Sequence, residues 1–360
     1  MNLLEELEKL IRFKTVHPND EEMKNCLDAI KAYFVDSGLY IMEYSFNGDK
    51  SMVISNSLEK NLDIIFCGHV DVVPAAPEMF KIRREGSRLF ARGAADMKSQ
   101  VAVMMKLMLG TQKLKNKIGF MITTDEERGG FNGVNYLLEN HGYRAKVAIV
   151  PDGGFDFNLV VEEKGVLQLK LSFEGREAHS AYLWEGENAL LRLYGIYQSL
   201  LLKFPNPEDK ELWCSSINLA KIVCENAINK VPQYGEMYLD IRHIYRDKKE
   251  DFLKVLREID PKVKVEVLAQ GEAFICEESH PLVAQFSKLC EKVLGQKIKN
   301  TKVPSSSDAR FFSSRGMPCI IMNPICGNLH REDEWVDLES LGSLFDIYEG
   351  YCRLDFKDMI

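Results

Sequence analysis

Residues 64–71, Ile64-Ile65-Phe66-Cys67-Gly68-His69-Val70-Asp71, decide the fold of this chain. They form an apolar run that ends in a histidine and a carboxylate. His69 and Asp71 are two residues apart, so in an extended chain their side chains point to the same side. A neutral imidazole is the commonest metal ligand, and a carboxylate can hold its other ring nitrogen. By itself, the pair also fits a polar strand end that makes local hydrogen bonds.

Other acidic or histidine side chains follow further short apolar runs or directly precede a helical segment. These side chains are Asp96, Glu126, Glu127, Asp152 and His330. In α/β sheets, ligands bind at the carboxyl ends of the strands. Solvated charges would not recur at strand ends, so the repetition predicts one functional site at that edge of a sheet.

The predicted site has the composition of a metal centre. Two histidines and three carboxylates suit two divalent cations of the zinc type, with cobalt or manganese as tolerated substitutes. Glu126 and Glu127 are adjacent, so one can bind metal while the other stays free. A free glutamate next to a two-metal site can take the proton of the attacking water and return it to the leaving amine.

This ordered series of motifs resembles the M20 family of co-catalytic zinc peptidases and deacylases over nearly the whole chain. The family includes acetylornithine deacetylase, succinyl-diaminopimelate desuccinylase, aminoacylase-1 and carboxypeptidase G2.

The sequence departs from the family pattern at two positions. Asp152 stands in a D-G-G setting that looks more like the peptidase branches, whereas many deacylases have glutamate there. Ser99 replaces the usual glycine after D-M-K, and it is a candidate N-cap for a helix over 100–109.

The resemblance implies a role for each residue of the predicted site. It implies that His69 and Asp152 bind one ion and that Glu127 and His330 bind the other. Asp96 would bridge both ions. Glu126 would be the general base, and Asp71 would support His69 from behind. The resemblance also implies a cis peptide bond between Asp96 and Met97.

Strands that alternate with helices predict an α/β fold with a mostly parallel sheet flanked by helices. The middle of the chain differs, because its elements follow the ferredoxin-like order β-α-β-β-α-β. This segment separates His330 from the other predicted ligands. We therefore predict a discontinuous catalytic di-metal domain over 1–164 and 272–360. An inserted lid and dimerisation domain would occupy 165–271.

The insert carries further candidates. Its sheet would leave edges, and an edge that pairs with its own copy gives a homodimer. His179 resembles the histidine of a family turn that stabilises the oxyanion in the partner's active site, although by spacing alone it is a surface loop histidine. Arg242 is a candidate for binding a substrate carboxylate, or else it pairs with Asp240.

Several residues near the predicted site allow more than one interpretation. Arg310 lies in a segment that matches the family's S-D-A-R motif near the substrate, and it could equally be a structural partner of Asp308. Glu334 either orients His330 or is a solvated loop acid. The remaining histidines are predicted to be surface or structural residues: His17, His141, His243 and His280.

Composition limits the class of protein. The chain has 360 residues, of which 46% are hydrophobic and 28% charged, enough for two domains with cores. A net charge of −8 argues against nucleic acid binding. No apolar stretch reaches the ~18 residues of a membrane span, and residues 1–7 predict an amphipathic helix start rather than a signal peptide. Most of the nine cysteines lie in apolar runs, as is typical of reduced thiols in a cytoplasmic protein.

The sequence thus predicts a metal-dependent amidohydrolase that cleaves the amide of an N-acyl amino acid or short peptide. A dipeptidase or aminopeptidase of the same family is the alternative that D-G-G favours. A non-catalytic metal-binding scaffold would need a missing ligand or base, and none is missing. A monomeric zinc aminopeptidase without a lid would lack the insert.

Overall fold

The computed structural model describes residues 3–209 and 211–356. Met1 and Asn2 of the predicted N-terminal helix start lie outside the described residues, as do Lys210 of the predicted insert and 357–360 of the predicted catalytic domain.

The helices of the described residues are, in chain order, α1 Leu3–Arg12, α2 Asp20–Tyr33, α3 Lys98–Met108, α4 Val134–Glu139, α5 Ala189–Lys203, α6 Lys249–Ile259, α7 Pro281–Leu294, α8 Ala309–Ser313 and α9 Leu338–Cys352. The strands are β1 Tyr40–Phe46, β2 Asp49–Ser55, β3 Asn61–His69, β4 Arg83–Glu85, β5 Arg88–Phe90, β6 Ile118–Thr123, β7 Arg144–Ile149, β8 Leu159–Glu163, β9 Gly165–Glu174, β10 Ser216–Val223, β11 Tyr234–His243, β12 Lys264–Gly271, β13 Phe274–Ile275, β14 Asn300–Val303, β15 Cys319–Ile320, β16 Cys326–Gly327 and β17 Trp335–Asp337.

The chain divides into two compact units. The first comprises Met1–Val161, Cys276–Val303 and Ser307–Ile360, and the second comprises Glu162–Ile275 and Pro304–Ser306. The predicted insert boundaries were 165 and 271.

The first unit is built on a six-stranded sheet with the order β1-β2-β6-β3-β7-β15. Strands β6, β3, β7 and β15 run parallel, whereas β1 and β2 form an antiparallel hairpin at one edge. Strand β6 is buried along its whole length, as expected for a parallel strand covered on both faces. Helix α3 packs against β3 and β6 and also contacts α1 and α9, while α8 packs against β7 and β15. The predicted α/β fold with a mostly parallel sheet is confirmed.

A smaller antiparallel sheet of the first unit, with the order β16-β17-β5-β4, lies outside the main sheet. The loop between β16 and β17 contains His330, and the segment after β5 leads to Asp96. The pairing of β17 with β5 therefore links two parts of the chain that each carry a predicted ligand.

The second unit contains a four-stranded antiparallel sheet with the order β10-β11-β9-β12. Strand β9 alternates buried with half-buried residues, and its buried residues pack with the apolar faces of α5 and α6 in one core. The element order β9-α5-β10-β11-α6-β12 confirms the predicted ferredoxin-like pattern.

The predicted capping role of Ser99 is wrong. Helix α3 begins one residue earlier, at Lys98, and Met97 occupies its N-cap position. The Ser99 hydroxyl instead donates to Gln100 Oε1 at 2.6 Å. The peptide bond between Asp96 and Met97 is cis, as the resemblance implied.

Every helix among the described residues is too short or too polar to span a bilayer.

Candidate metal centre

The parallel strands of the first unit bring their carboxyl ends together at one edge of the sheet. His69 is the last residue of β3, and Asp152 follows β7 closely. Glu126 and Glu127 lie in a short 3-10 turn after β6. Each side chain therefore reaches the same edge because a buried apolar strand ends just before it.

Asp96 is the centre of this arrangement. Its Oδ1 lies 3.0 Å from His69 Nε2, and its Oδ2 lies 3.0 Å from His330 Nε2. His330 Nε2 also lies 3.3 Å from Glu127 Oε1. Burial opposes ionisation of Asp96, but contacts with His330 and His69 hold the pKa of Asp96 well below its usual range. The carboxylate is thus charged at neutral pH and presents one oxygen to each histidine.

Two groups of side chains in the described part of the chain can each hold a metal ion. Site A consists of His69, Asp96 and Asp152, and site B consists of Asp96, Glu127 and His330. Within each group the ligand atoms lie within 4.8 Å of one another.

The donor set fits divalent cations. Imidazole nitrogen with carboxylate oxygen suits zinc and its neighbours in the first transition row. Glu127 Oε1 is buried and accepts no hydrogen bond within the described residues, although His330 Nε2 lies 3.3 Å away, and a bound cation would satisfy it. His69 Nδ1 lies 2.9 Å from the main-chain oxygen of Asp71. This contact places the proton on Nδ1 and leaves Nε2 free to ligate.

Comparison with known proteins agrees with this geometry. The model of Peptidase family M20/M25/M40 matches residues 65–353. The chain belongs to this family. As an M20 hydrolase, it carries out metal-dependent hydrolysis of amide bonds and binds divalent metal, which confirms the family and the enzyme class predicted from the motifs.

The M20 chain also resembles individual proteins along its length. It is 27% identical over 379 residues to the succinyl-diaminopimelate desuccinylase of Rickettsia africae (strain ESF-5), covering 96% of this chain and 97% of the relative. A tripeptidase from Staphylococcus aureus has the same fold, with a TM-score of 0.77 at 19% identity, covering 98% of this chain and 97% of that one. The metallo-carboxypeptidase Sso-CP2 from Sulfolobus solfataricus also has this fold, with a TM-score of 0.77 at 15% identity, covering 98% of this chain and 99% of that one.

Asp71 contacts one residue of site A and one residue of site B. It is completely buried. Its Oδ1 lies 3.4 Å from His69 Nδ1, and its Oδ2 accepts from the main-chain N–H of Glu127 at 2.9 Å. Burial opposes its ionisation, but the imidazoles of His17 and His69 lower the pKa of Asp71 to about 2. One carboxylate therefore contacts the side chain of a site A residue and the backbone of a site B residue.

His17 is a neighbour of this centre that sequence reasoning did not single out. Its Nε2 lies 2.7 Å from Thr124 O and 3.7 Å from Asp71 Oδ2. The nearby carboxylate of Asp71 raises the pKa of His17 above its ordinary value. No local pattern could have identified it, since its two contacts lie far along the chain.

Glu126 is half-buried beside these ligands and belongs to neither site A nor site B. Burial within the site, reinforced by the charge of Asp152, raises the pKa of Glu126 well above its ordinary value. A carboxylate with a raised pKa takes up a proton more readily, as a general base requires.

The position of Glu334 matches neither of the two interpretations made from the sequence. It is completely buried, so it is not a solvated loop acid, and none of its hydrogen bonds or ion pairs among the described residues involves His330. Its Oε1 accepts from the N–H groups of Ala95 and Asp96 at 2.8 and 3.1 Å, and its other oxygen pairs with Arg92. Glu334 therefore holds the backbone at Asp96, the residue that sites A and B have in common.

We expect Glu334→Ala to lower the free energy of unfolding of the metal-free protein by about 3–5 kcal/mol, because it leaves Arg92 buried and unpaired. Arg92 is 3% exposed, and its Nε already lacks a partner within the described residues. Urea denaturation measures the change. Glu85→Ala is the control, since it removes an exposed ion pair with Arg83 and such pairs contribute little. An equal effect of both variants would contradict this assignment.

The remaining predicted residues are not members of site A or site B. His179 and Arg242 belong to the second unit. His179 is exposed, and its Nδ1 accepts from the Ala181 N–H at 3.2 Å. Arg242 Nε donates to Asp240 Oδ1 at 2.8 Å, which is the ion pair of the second interpretation. Its role toward substrate stays a prediction.

Arg310 lies in the first unit, and its side chain is buried. It donates to Ser307 O at 2.9 Å and to Gly129 O at 2.7 Å. These bonds attach it to the loop that follows Glu127. Its two nearest acceptors are therefore main-chain oxygens, and the bonds fix that loop.

Proposed function

We propose that this M20 hydrolase removes the acyl group of an N-acyl amino acid, or cleaves a short peptide, that carries a free carboxylate. The observation that carries this proposal is the pairing of sites A and B through Asp96, with Glu126 beside them and part of neither. Similarity to a succinyl-diaminopimelate desuccinylase along nearly the whole chain supports an N-acylated substrate.

We assign two zinc ions per subunit to sites A and B, with cobalt or manganese as alternatives. His69 and Asp152 would hold one ion, Glu127 and His330 the other, and Asp96 both. When bound, such ions acidify water and polarise a carbonyl.

The chain's own residues would then move the proton and hold the substrate. Glu126 would take the proton of the attacking water and give it to the leaving nitrogen, while Asp71 keeps His69 oriented. His179 would stabilise the oxyanion. Arg242 and Arg310 are our candidates for the substrate carboxylate, because a guanidinium binds a carboxylate through two hydrogen bonds.

A dipeptidase or aminopeptidase activity is the second candidate. The Asp152-Gly153-Gly154 setting of a site A ligand favours it. A non-catalytic scaffold is disfavoured, because both metal groups and the free glutamate are present.

Turnover of N-acetyl amino acids, N-succinyl amino acids and dipeptides, with and without chelator, tests the proposal. We expect hydrolysis of one class, its loss after chelation, and its return when zinc is added back. Turnover that survives complete metal removal would contradict the proposed metal roles. Faster cleavage of dipeptides than of any N-acyl amino acid would favour the second candidate.

We also propose that the insert, 165–271, forms the contact of a homodimer. Strands β10 and β12 are the edges of its sheet. The outer face of α5 leaves large apolar side chains exposed: Leu191 69%, Tyr194 46% and Leu202 85%. An exposed apolar helix face and open strand edges in the same unit support pairing with a second copy.

We place the enzyme in the cytoplasm. Seven of the nine cysteines are buried, in keeping with reduced thiols that pack as small apolar side chains.

In such a dimer, we expect His179→Ala to fold, dimerise and keep its metals, but to lose about 10²–10³ in kcat, as for a lost oxyanion donor. His141→Ala is the matched control, because that ring packs on Tyr44 and Tyr136 in the first unit. Steady-state kinetics measures kcat, light scattering measures dimerisation, and metal analysis measures the bound metal.

A mixed dimer separates action in the partner's site from action in the same chain. Subunits with His179→Ala, combined with subunits with Glu126→Gln, should regain one competent site. Failure of a verified heterodimer to regain activity would contradict a role of His179 across the interface.

A further inference from the structure

Two buried side-chain amides lie between the backbone segments that carry Asp96 and Asp152. Gln100 is in the first turn of α3, and Asn323 follows β15. Both residues are completely buried, and Gln100 Nε2 lies 3.1 Å from the Asn323 amide. We call this pair the amide brace.

The Gln100 end of the amide brace holds the segment of the shared ligand. Gln100 Nε2 donates to Ala95 O at 2.7 Å, directly before Asp96. The Ser99 hydroxyl donates to Gln100 Oε1, which fixes the amide in this orientation. Ser99, the departure from the usual glycine, thus supports Gln100 rather than capping the helix.

The Asn323 end holds the loop of the site A carboxylate. The Asn323 amide donates to Pro151 O and accepts from Gly153 N at 3.1 Å, on either side of Asp152. The Asn323 backbone N–H also donates to Gly154 O at 3.1 Å. Main-chain and side-chain bonds of one residue therefore fix this loop.

We propose that the amide brace is a positioning element that sets the separation of Asp96 and Asp152 and thereby the metal affinity of site A. This inference rests on the proposed metal centre. Both carboxylates must lie within a few ångströms of one ion, and each is carried by a loop after a strand or before a helix. Each amide holds one of the two loops by its own hydrogen bonds, and the two amides are in contact, which reduces the reorganisation needed on binding. Partners behind metal ligands typically change affinity about 10–100-fold.

Substitutions at the two ends of the amide brace are expected to change the two metal dissociation constants differently. Asn323→Ala frees only the Asp152 loop, so one of the two dissociation constants should rise about 10–100-fold while the other stays within about threefold. Gln100→Met keeps the side-chain volume but loses the bond to Ala95. Because Asp96 serves both ions, both constants should rise. Asn323→Ser provides a second variant in case Asn323→Ala does not fold.

The test is a zinc titration of the full-length protein against a chromophoric chelator, with thermal unfolding of the metal-free form alongside. Asn116→Ala is the matched control, because Asn116 is also buried and donates to two main-chain oxygens, of Cys352 at 2.9 Å and Leu354 at 2.7 Å. We expect it to lower the unfolding temperature without changing either constant.

Two outcomes separate the inference from its foundation. If the wild-type protein binds two ions and Asn323→Ala binds them as Asn116→Ala does, the amide brace is overturned and the metal centre stands. If the wild-type protein binds fewer than two ions, the proposed centre is overturned and the brace with it.

Discussion

Glu126→Gln is expected to lower kcat by about 10²–10⁴-fold, the usual contribution of a general acid–base group, while both metals stay bound. The amide is nearly isosteric with the carboxylate but cannot accept the proton of water at neutral pH. Glu126 belongs to neither ligand group, so its replacement removes no donor atom. Steady-state kinetics with metal analysis of the same preparation measures both properties.

Glu127→Gln is the matched comparison, since it makes the same chemical change one residue further along. Glu127 Oε1 lies 3.3 Å from His330 Nε2 in site B. We expect this variant to lose metal from site B, and activity with it. Loss of a metal from Glu126→Gln would instead identify Glu126 as a ligand and require another base.

Asp96→Ala is expected to abolish activity and to weaken both metal sites together. One carboxylate faces His69 with Oδ1 and His330 with Oδ2, each at 3.0 Å. Its removal therefore takes one donor from each site. Metal content after dialysis should fall from two ions toward none.

His69→Ala and Asp152→Ala are the controls, because each removes a donor from site A alone. They should retain the ion of site B. Retention of both ions by Asp96→Ala would show that Asp96 does not bridge. Circular dichroism confirms that each variant is folded, which matters because Asp96 also adjoins the bonds from Glu334 to the backbone.

The residues of sites A and B could be proposed from the sequence because they follow a local rule. His69 and Asp152 come at or just after the ends of parallel strands, and Glu127 follows another. Each strand is recognisable from its own apolar run, and parallel strands place their carboxyl ends at one edge. Knowledge of which strands are adjacent was not needed.

The supporting residues were not predictable in this way. Glu334 meets Ala95 across 239 positions of sequence, and Gln100 meets Asn323 across 223. Glu334 follows His330 closely, so sequence proximity suggested the wrong partner. Arg310 donates to Gly129 O across 181 positions, and no pattern in S-S-D-A-R indicates that acceptor.

The sequence by itself determined the α/β class, the β-α-β-β-α-β insert and the residues that can hold metal, because each follows from the periodicity or order of short segments. The tertiary structure decided which buried polar groups satisfy one another. A buried charge or amide must find a partner wherever packing brings one, and that partner belongs to whichever distant segment lies alongside. The contacts of Glu334, His17 and the amide brace can be identified only in the folded chain.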